Sequence, residues 1–97
     1  MNQLEIETTI QNLKHKLQTE YHVRRIALFG SVLTDNFSDS SDVDLLVDIE
    51  PDYKSYKTLL ELKNELRKSL NRDIDLVFED TINPIVRMHI GNNIKYV

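Results

Sequence analysis

Apolar residues recur along the chain with two different periods, and these periods divide it into predicted helices and strands. Residues 3 to 20 place apolar side chains three and four positions apart, which is the spacing of an amphipathic helix: Ile6, Ile10, Leu13 and Leu17. Residues 56 to 70 show the same period, and we assign to their inner side Tyr56, Leu59, Leu60, Lys63, Leu66 and Leu70. The pattern predicts two helices that each cover a core.

Three shorter stretches predict strands. Residues 23 to 30 form an apolar run that follows two arginines and ends at a glycine, so we expect a strand buried on both faces. Residues 42 to 49 and 72 to 78 alternate, with acids on one side and apolar residues on the other. A short helix from Pro84 and a tail that is either a strand or packed chain complete the order. This alternation predicts an α/β domain whose sheet is covered by helices on at least one face.

Length, composition and charge narrow the class of protein. The 97 residues suffice for one core and are too few for two, so we expect one domain over residues 1–97. The chain has no cysteine, and its three histidines show no metal-ligand spacing. Its net charge is −4 with basic and acidic residues interleaved, which argues against direct nucleic-acid binding. The pattern of a signal peptide or a membrane span is missing, so we expect a cytoplasmic protein without membrane contact.

Acidic residues on the second predicted strand suggest a metal site. Strand alternation places Asp42 and Asp44 side by side, roughly 6 to 7 Å apart. Two carboxylates at that spacing repel each other unless a divalent cation lies between them, and Mg²⁺ prefers carboxylate oxygens, water and substrate phosphates. Gly30 ends the first predicted strand and Ser31 opens the next segment, a place where a missing side chain lets backbone N–H groups approach an anion. A helical turn after Ser31 would add a favourable field for phosphate.

A third acid comes from the last acidic strand, where either Asp73 or Asp75 could serve. Metal ions held by three carboxylates would align an attacking oxygen with a phosphoryl group, so the combination indicates phosphoryl or nucleotidyl transfer. Each part alone also has a plain structural explanation. A Gly-Ser pair is usually a turn, acids on an open sheet face are often only hydrated, and Asp73 beside Arg72 could be an exposed ion-pair partner.

The order of these parts resembles a known family. Gly30-Ser31 followed by "SDVDLLV" at 41–47 is similar to the signature of the nucleotidyltransferase superfamily with the polymerase-β type fold. With "RDIDLV" at 72–77 and its small size, the chain most resembles the minimal nucleotidyltransferases, the MntA-like antitoxins encoded beside HEPN-domain toxins. The resemblance extends from "RRIALFGS" to the closing "INPIVRMHIGNNIKYV". It implies an α/β (α+β) fold in which a small mixed β-sheet is packed by helices.

The resemblance also implies roles for individual residues. Gly30 and Ser31 would contact the nucleotide triphosphate, and Asp42 and Asp44 would hold Mg²⁺. Asp75 would be the third carboxylate, assisting the metal or the attacking hydroxyl. It is preferred to Asp73 because the family's third acid is typically followed by an apolar pair, which is Leu76-Val77 in this chain.

The activity implied by the resemblance is transfer of AMP from ATP to a tyrosine of a HEPN ribonuclease toxin, which silences the toxin. The partner would form a hetero-oligomer with this chain and would bring the acceptor, because so small a domain has little room for its own acceptor site. Many family members carry Arg-Gly a few residues after Gly-Ser, whereas this chain has Thr34-Asp35. That departure keeps an alternative open, a weakly active or inactive binding module that neutralises the toxin by complex formation. A transferase for a small acceptor such as an aminoglycoside is less favoured, since those enzymes normally bring an additional helical domain.

Overall fold

A computed structural model describes residues 1–91 and 93–97, and Asn92, within the closing segment of the resemblance, lies outside the described residues. The described residues form three α-helices: α1 (Gln3–Tyr21), α2 (Tyr56–Leu70) and α3 (Pro84–Ile90). They also form four strands: β1 (Val23–Phe29), β2 (Val43–Ile49), β3 (Ile74–Phe78) and β4 (Ile94–Tyr96). The order predicted from the sequence is confirmed, and the tail is a strand.

The strands form one mixed sheet in the order β3-β2-β1-β4. The β2–β3 pair is parallel, whereas β1 is antiparallel to both β2 and β4. Parallel strands need a long crossover connection, and α2 is the helix that provides it. The register places Asp44 directly between Phe29 of β1 and Asp75 of β3. The mixed sheet expected from the family resemblance is thereby confirmed.

Local capping explains where the two long helices begin and end. Asn2 and Glu5 form a capping box, in which each side chain accepts a hydrogen bond from the other residue's backbone N–H. At the start of α2, the hydroxyl of Ser55 accepts a hydrogen bond from the N–H of Thr58. Asn71 ends α2 in the left-handed conformation, with φ of 51°. The turn at Asn71 directs the chain into β3.

One face of the sheet packs against α1 and α2 to form the core. The inner residues of α2 are Leu59, Leu62, Leu66 and Leu70. The sequence-based assignment of Tyr56 and Leu60 to this side is wrong, because they are 72% and 45% exposed. The four buried leucines are three or four positions apart, and a helix turns about 100° per residue, which rotates Leu60 away from the stripe that contains Leu59.

The other face of the sheet is only partly covered. Ala27 and Leu46 are buried on it, and a cavity of about 210 Å³ separates Phe29 and Val77 from α3. The apolar side chains of α3 remain open to solvent, with Met88 82% exposed. Among the described residues, the length and hydropathy needed to cross a membrane are not found together in any helix.

Candidate active site

The turn after β1 brings the backbone close to a carboxylate. Residues Gly30–Leu33 form a short 3₁₀ helix, which confirms the helical turn expected at this position. Gly30 has φ of +75°, and a Cβ atom there would collide with Oδ2 of Asp44 and lie 3.2 Å from its Cγ. Glycine is therefore required here both by the backbone conformation and by the approach of Asp44.

Thr34 closes this turn. Its backbone N–H and its hydroxyl both donate to the carbonyl oxygen of Ser31, at 2.9 and 2.8 Å. Thr34 and the following Asp35 are exposed. In this chain, the segment where many family members carry Arg-Gly thus has a turn-closing hydroxyl and a solvated acid.

Asp44 lies beside the turn, with the carboxylates of Asp75 and Asp42 near enough to influence it. Asp44 is half-buried on β2 and lies opposite the exposed Asp75, and neighbouring strands are about 4.8 Å apart. Asp42 is exposed and immediately precedes β2, on the same side of the strand as Asp44. The structure therefore brings together the residues that the sequence analysis singled out.

Asp73, the alternative third acid, makes a different contact. Its side chain is 72% exposed and forms an ion pair with Arg67 at 3.5 Å. Among the described residues, no ion pair joins Asp73 to the adjacent Arg72, whose guanidinium instead donates to carbonyl oxygens of the loop that precedes β2. Asp75, and not Asp73, is the acid that faces Asp44.

The environment of Asp44 disfavours its negative charge. Burial raises the pKa of its carboxyl above the ordinary value, and the charges of Asp75 and Asp42 raise it further. The backbone N–H of Ser31 acts in the opposite direction and favours the ionised form. A cation placed among these groups would relieve the repulsion, so the electrostatics of the site suit a metal ion.

The donor set fits Mg²⁺ in an open site. Within residues 1–91 and 93–97, no three acidic or histidine side chains converge into a ready-made ligand cluster. Mg²⁺ usually takes only one or two carboxylates and completes its octahedron with water and substrate phosphates. Asp42 and Asp44 could supply the protein ligands, and the adjacent Gly30–Ser31 turn would lie beside the phosphates.

Two features near this site were missed by the sequence analysis. A recess of about 250 Å³ opens beside Gly30 and is bordered by Thr34, by Asn93 and by Val86, His89 and Ile90 of α3. Arg72, considered from the sequence only as a neighbour of Asp73, holds the loop that leads to Asp42. Neither has a local sequence signal, because both depend on segments distant in sequence.

Comparison with known proteins identifies the family. The family model described as "Polymerase beta, Nucleotidyltransferase" matches residues 11–97. A relative from Methanocaldococcus jannaschii, named "Putative protein adenylyltransferase MJ1379", is 36% identical over 95 residues, which cover 96% of this chain and 95% of the relative. "Protein adenylyltransferase MntA" from Thermococcus cleftensis is 31% identical over 93 residues, covering 96% of this chain and 93% of the relative.

A solved structure also matches the fold of this chain. The crystal structure of a toxin–antitoxin with AMP-PNP superposes with a TM-score of 0.68 and 25% identity, covering 89% of this chain and 70% of that chain. The family model, the relatives and the mixed sheet all agree with the motifs at Gly30-Ser31 and at Asp42 to Asp44. The chain belongs to the polymerase beta nucleotidyltransferase family.

Proposed function

We propose that this protein is a Mg²⁺-dependent antitoxin of the cytoplasm, which transfers AMP from ATP to a tyrosine of a HEPN-domain toxin and thereby neutralises it. The observation that carries the proposal is the contact of the Gly30 turn with Asp44, which has Asp75 opposite and Asp42 two residues before it. A relative named protein adenylyltransferase MntA and a toxin–antitoxin structure with AMP-PNP support the choice of donor and partner.

The reaction joins the tyrosine oxygen to the α-phosphorus of ATP and breaks the bond between that phosphorus and the pyrophosphate oxygen. The chemistry supplied by Mg²⁺ bound at Asp42 and Asp44 is neutralisation of the charge that develops on pyrophosphate. Gly30 lets the Asp44 carboxylate lie against the turn, and the backbone N–H groups of that turn would lie beside the phosphates. Asp75 is exposed beside Asp44 and accepts the proton of the tyrosine hydroxyl, which then passes to solvent.

The test uses the purified protein, the HEPN toxin encoded beside its gene, labelled ATP and Mg²⁺. We expect label on the toxin, and loss of labelling when a toxin tyrosine is changed to phenylalanine. The double variant Asp42→Asn with Asp44→Asn should not transfer AMP. Failure to label the toxin under conditions where the two proteins bind each other would overturn the proposal.

Asp48 offers a matched control for these variants. It lies on the same strand and the same side as Asp44, four residues further along β2, and it pairs with Arg24 at 3.0 Å and with Arg25 at 3.7 Å. We expect Asp48→Asn to transfer AMP at a rate within about twofold of the wild type, because it changes ion pairs with two exposed arginines that lie outside the proposed site. An equal loss in both variants would mean that the acidic strand has only a general structural role.

The alternative function is neutralisation by binding alone, and it is favoured by the exposed Thr34-Asp35 where many family members carry Arg-Gly. The double Asp→Asn variant separates the two functions in a growth assay with the toxin. If that variant neutralises the toxin as well as the wild type, complex formation is sufficient. If neutralisation fails while the complex still forms, AMP transfer is required.

A further inference from the structure

Arg72 is a largely buried cation in contact with the loop that precedes Asp42. Its side chain is only 8% exposed, although it lies at the junction of α2 and β3. The guanidinium donates from Nη1 to the carbonyl oxygen of Ser41 at 3.3 Å and from Nη2 to that of Asp39 at 3.1 Å. Its Cζ lies 4.6 Å from the centre of the Phe37 ring. One side chain thus holds several points of the loop.

The chain on both sides of Asp42 is held by two consecutive residues. Ser41, just before Asp42, accepts a hydrogen bond from Arg72. Val43, just after it, donates its backbone N–H to the carbonyl oxygen of Asp73 at 3.0 Å. Among the described residues, the side chain of Asp42 itself has no hydrogen-bond or ion-pair partner within the protein. The position of this carboxylate is therefore set through its backbone.

We propose that Arg72 is a positioning residue that fixes Asp42 for metal and nucleotide binding, an inference that rests on the proposed function. The same loop carries Asp39, whose Oδ1 lies 3.9 Å from Nη2 of Arg72, so the arginine contacts the loop through a carboxylate as well as through carbonyl oxygens. A guanidinium has a planar fork of donors that can bond several carbonyl oxygens at once, whereas an ammonium group is a compact point charge. Arginine is therefore suited to this position in a way that lysine is not.

The test compares Arg72→Gln and Arg72→Lys with Arg67→Gln. Arg67 is the matched control because it is an arginine in the last turn of α2 whose side chain is 62% exposed and pairs with the side chain of Asp73 at 3.5 Å. The readout is the affinity of the protein for Mn²⁺ in the presence of AMP-PNP, followed by electron paramagnetic resonance. We expect Arg72→Gln to weaken the affinity for Mn²⁺ about 10- to 100-fold, the usual effect of removing a group that orients a metal ligand. Arg72→Lys should restore part of that loss, and Arg67→Gln should stay within about twofold of the wild type.

A double-mutant cycle separates positioning from general structural support. If Arg72 acts through Asp42, then Arg72→Gln should add little to the loss already caused by Asp42→Asn, so the two effects should not add. Additive losses would overturn the inference, as would wild-type Mn²⁺ affinity in Arg72→Gln. Loss of the folded state in both Arg72 variants would also overturn it, because Arg72 would then be a general structural residue.

These outcomes distinguish the inference from the proposed function. If the wild type binds Mn²⁺ with AMP-PNP but labels no toxin, the proposed transfer fails while the role of Arg72 is still decided by the binding data. If the toxin is labelled equally by the wild type and by Arg72→Gln, the transfer is supported and the role of Arg72 is overturned. A wild-type protein that binds no Mn²⁺ overturns the inference directly.

Discussion

The sheet face under α1 and α2 and the opposite face use neighbouring residues of the same strands in different ways. On β2, Val43 and Leu45 point to the first face and are fully buried. Asp44, between them, points to the second face and is half-buried against Gly30 and Asp75. The first face is sealed by two long helices, whereas the second is covered only in part by α3.

The difference shows that stability and chemistry are separated across the thickness of one sheet. Burial of apolar surface contributes about 25 cal/mol per Å², and the first face holds most of the buried core. The second face places three carboxylates close together, which destabilises the protein while no cation is bound. The stable first face allows the second to hold groups selected for binding rather than for stability.

The largest expected effect comes from the first face. Leu62→Ala removes a fully buried side chain of α2 and should lower the free energy of unfolding by about 2 to 5 kcal/mol, measured by urea denaturation. The affinity of the folded protein for Mn²⁺ with AMP-PNP should not change. Leu60→Ala is the control on the same helix, because Leu60 is 45% exposed, and we expect it to cost less than about 1 kcal/mol. Equal costs at the two positions would contradict the assignment of the buried stripe.

The next effect distinguishes the two candidates for the third carboxylate on the second face. Asp75→Asn should slow AMP transfer by about 10²-fold or more, because it removes the carboxylate opposite Asp44 that we propose accepts the hydroxyl proton. Asp73→Asn should leave the rate within about twofold of the wild type, since that side chain forms only an exposed ion pair with Arg67. Single-turnover rates of AMP transfer from labelled ATP measure the effect of each of the two variants. The reverse order of effects would assign the third acid to Asp73.

Gly30→Ala tests the contact between the turn and the second face. Alanine at φ of +75° should cost about 1 to 3 kcal/mol in stability, and its Cβ would displace the Asp44 carboxylate and weaken Mn²⁺ binding. Gly91→Ala also places alanine at a positive φ, +53°, but among the described residues its Cβ would meet the carbonyl oxygen of Met88 at an ordinary 3.5 Å. Thermal denaturation should show a lower melting temperature for both variants than for the wild type. Only Gly30→Ala should bind Mn²⁺ more weakly. Equal Mn²⁺ affinity in the two variants would argue against a role for the close approach.

The smallest expected effect is a gain in stability, on replacement of Asp44, rather than a loss. Because the pKa of Asp44 is raised in the folded protein, the folded state holds that proton more tightly than the unfolded state does. Ionisation of Asp44 therefore lowers stability as the pH rises from its ordinary pKa, near 3.8, through the raised value. In the absence of divalent cations at neutral pH, Asp44→Asn should raise the free energy of unfolding by less than about 1 kcal/mol.

The direction of this change in stability is tested by the melting temperatures of the wild type and Asp44→Asn, measured with EDTA from about pH 3 to about pH 7. The advantage of Asp44→Asn should disappear below the ordinary pKa of Asp44. Added Mn²⁺ with AMP-PNP should reverse the order at neutral pH, because only the wild type gains binding free energy. A wild type that is the more stable protein at neutral pH without metal would contradict the electrostatic description of the second face.

Local patterns were sufficient to predict most of the fold. The period of the apolar residues predicted both long helices, and alternation predicted β2 and β3 with acids on one side. The error on α2 arose because Tyr56 and Leu60 are apolar in type but lie outside the stripe that faces the core. A single sequence lists which residues are apolar, but the helix orientation that buries them is set by the sheet.

For this protein, the sequence by itself determined the order of elements, the Gly30-Ser31 and Asp42-Asp44 motifs and the resemblance to a family. Only the tertiary structure decided which residues meet: Asp75 across from Asp44, Asp73 with Arg67, and Arg72 on the loop before Asp42. The physical reason is that backbone periods act over a few residues. In contrast, strand register joins Asp44 to Asp75, and the long side chain of Arg72 reaches a loop that also lies about 30 residues away along the chain.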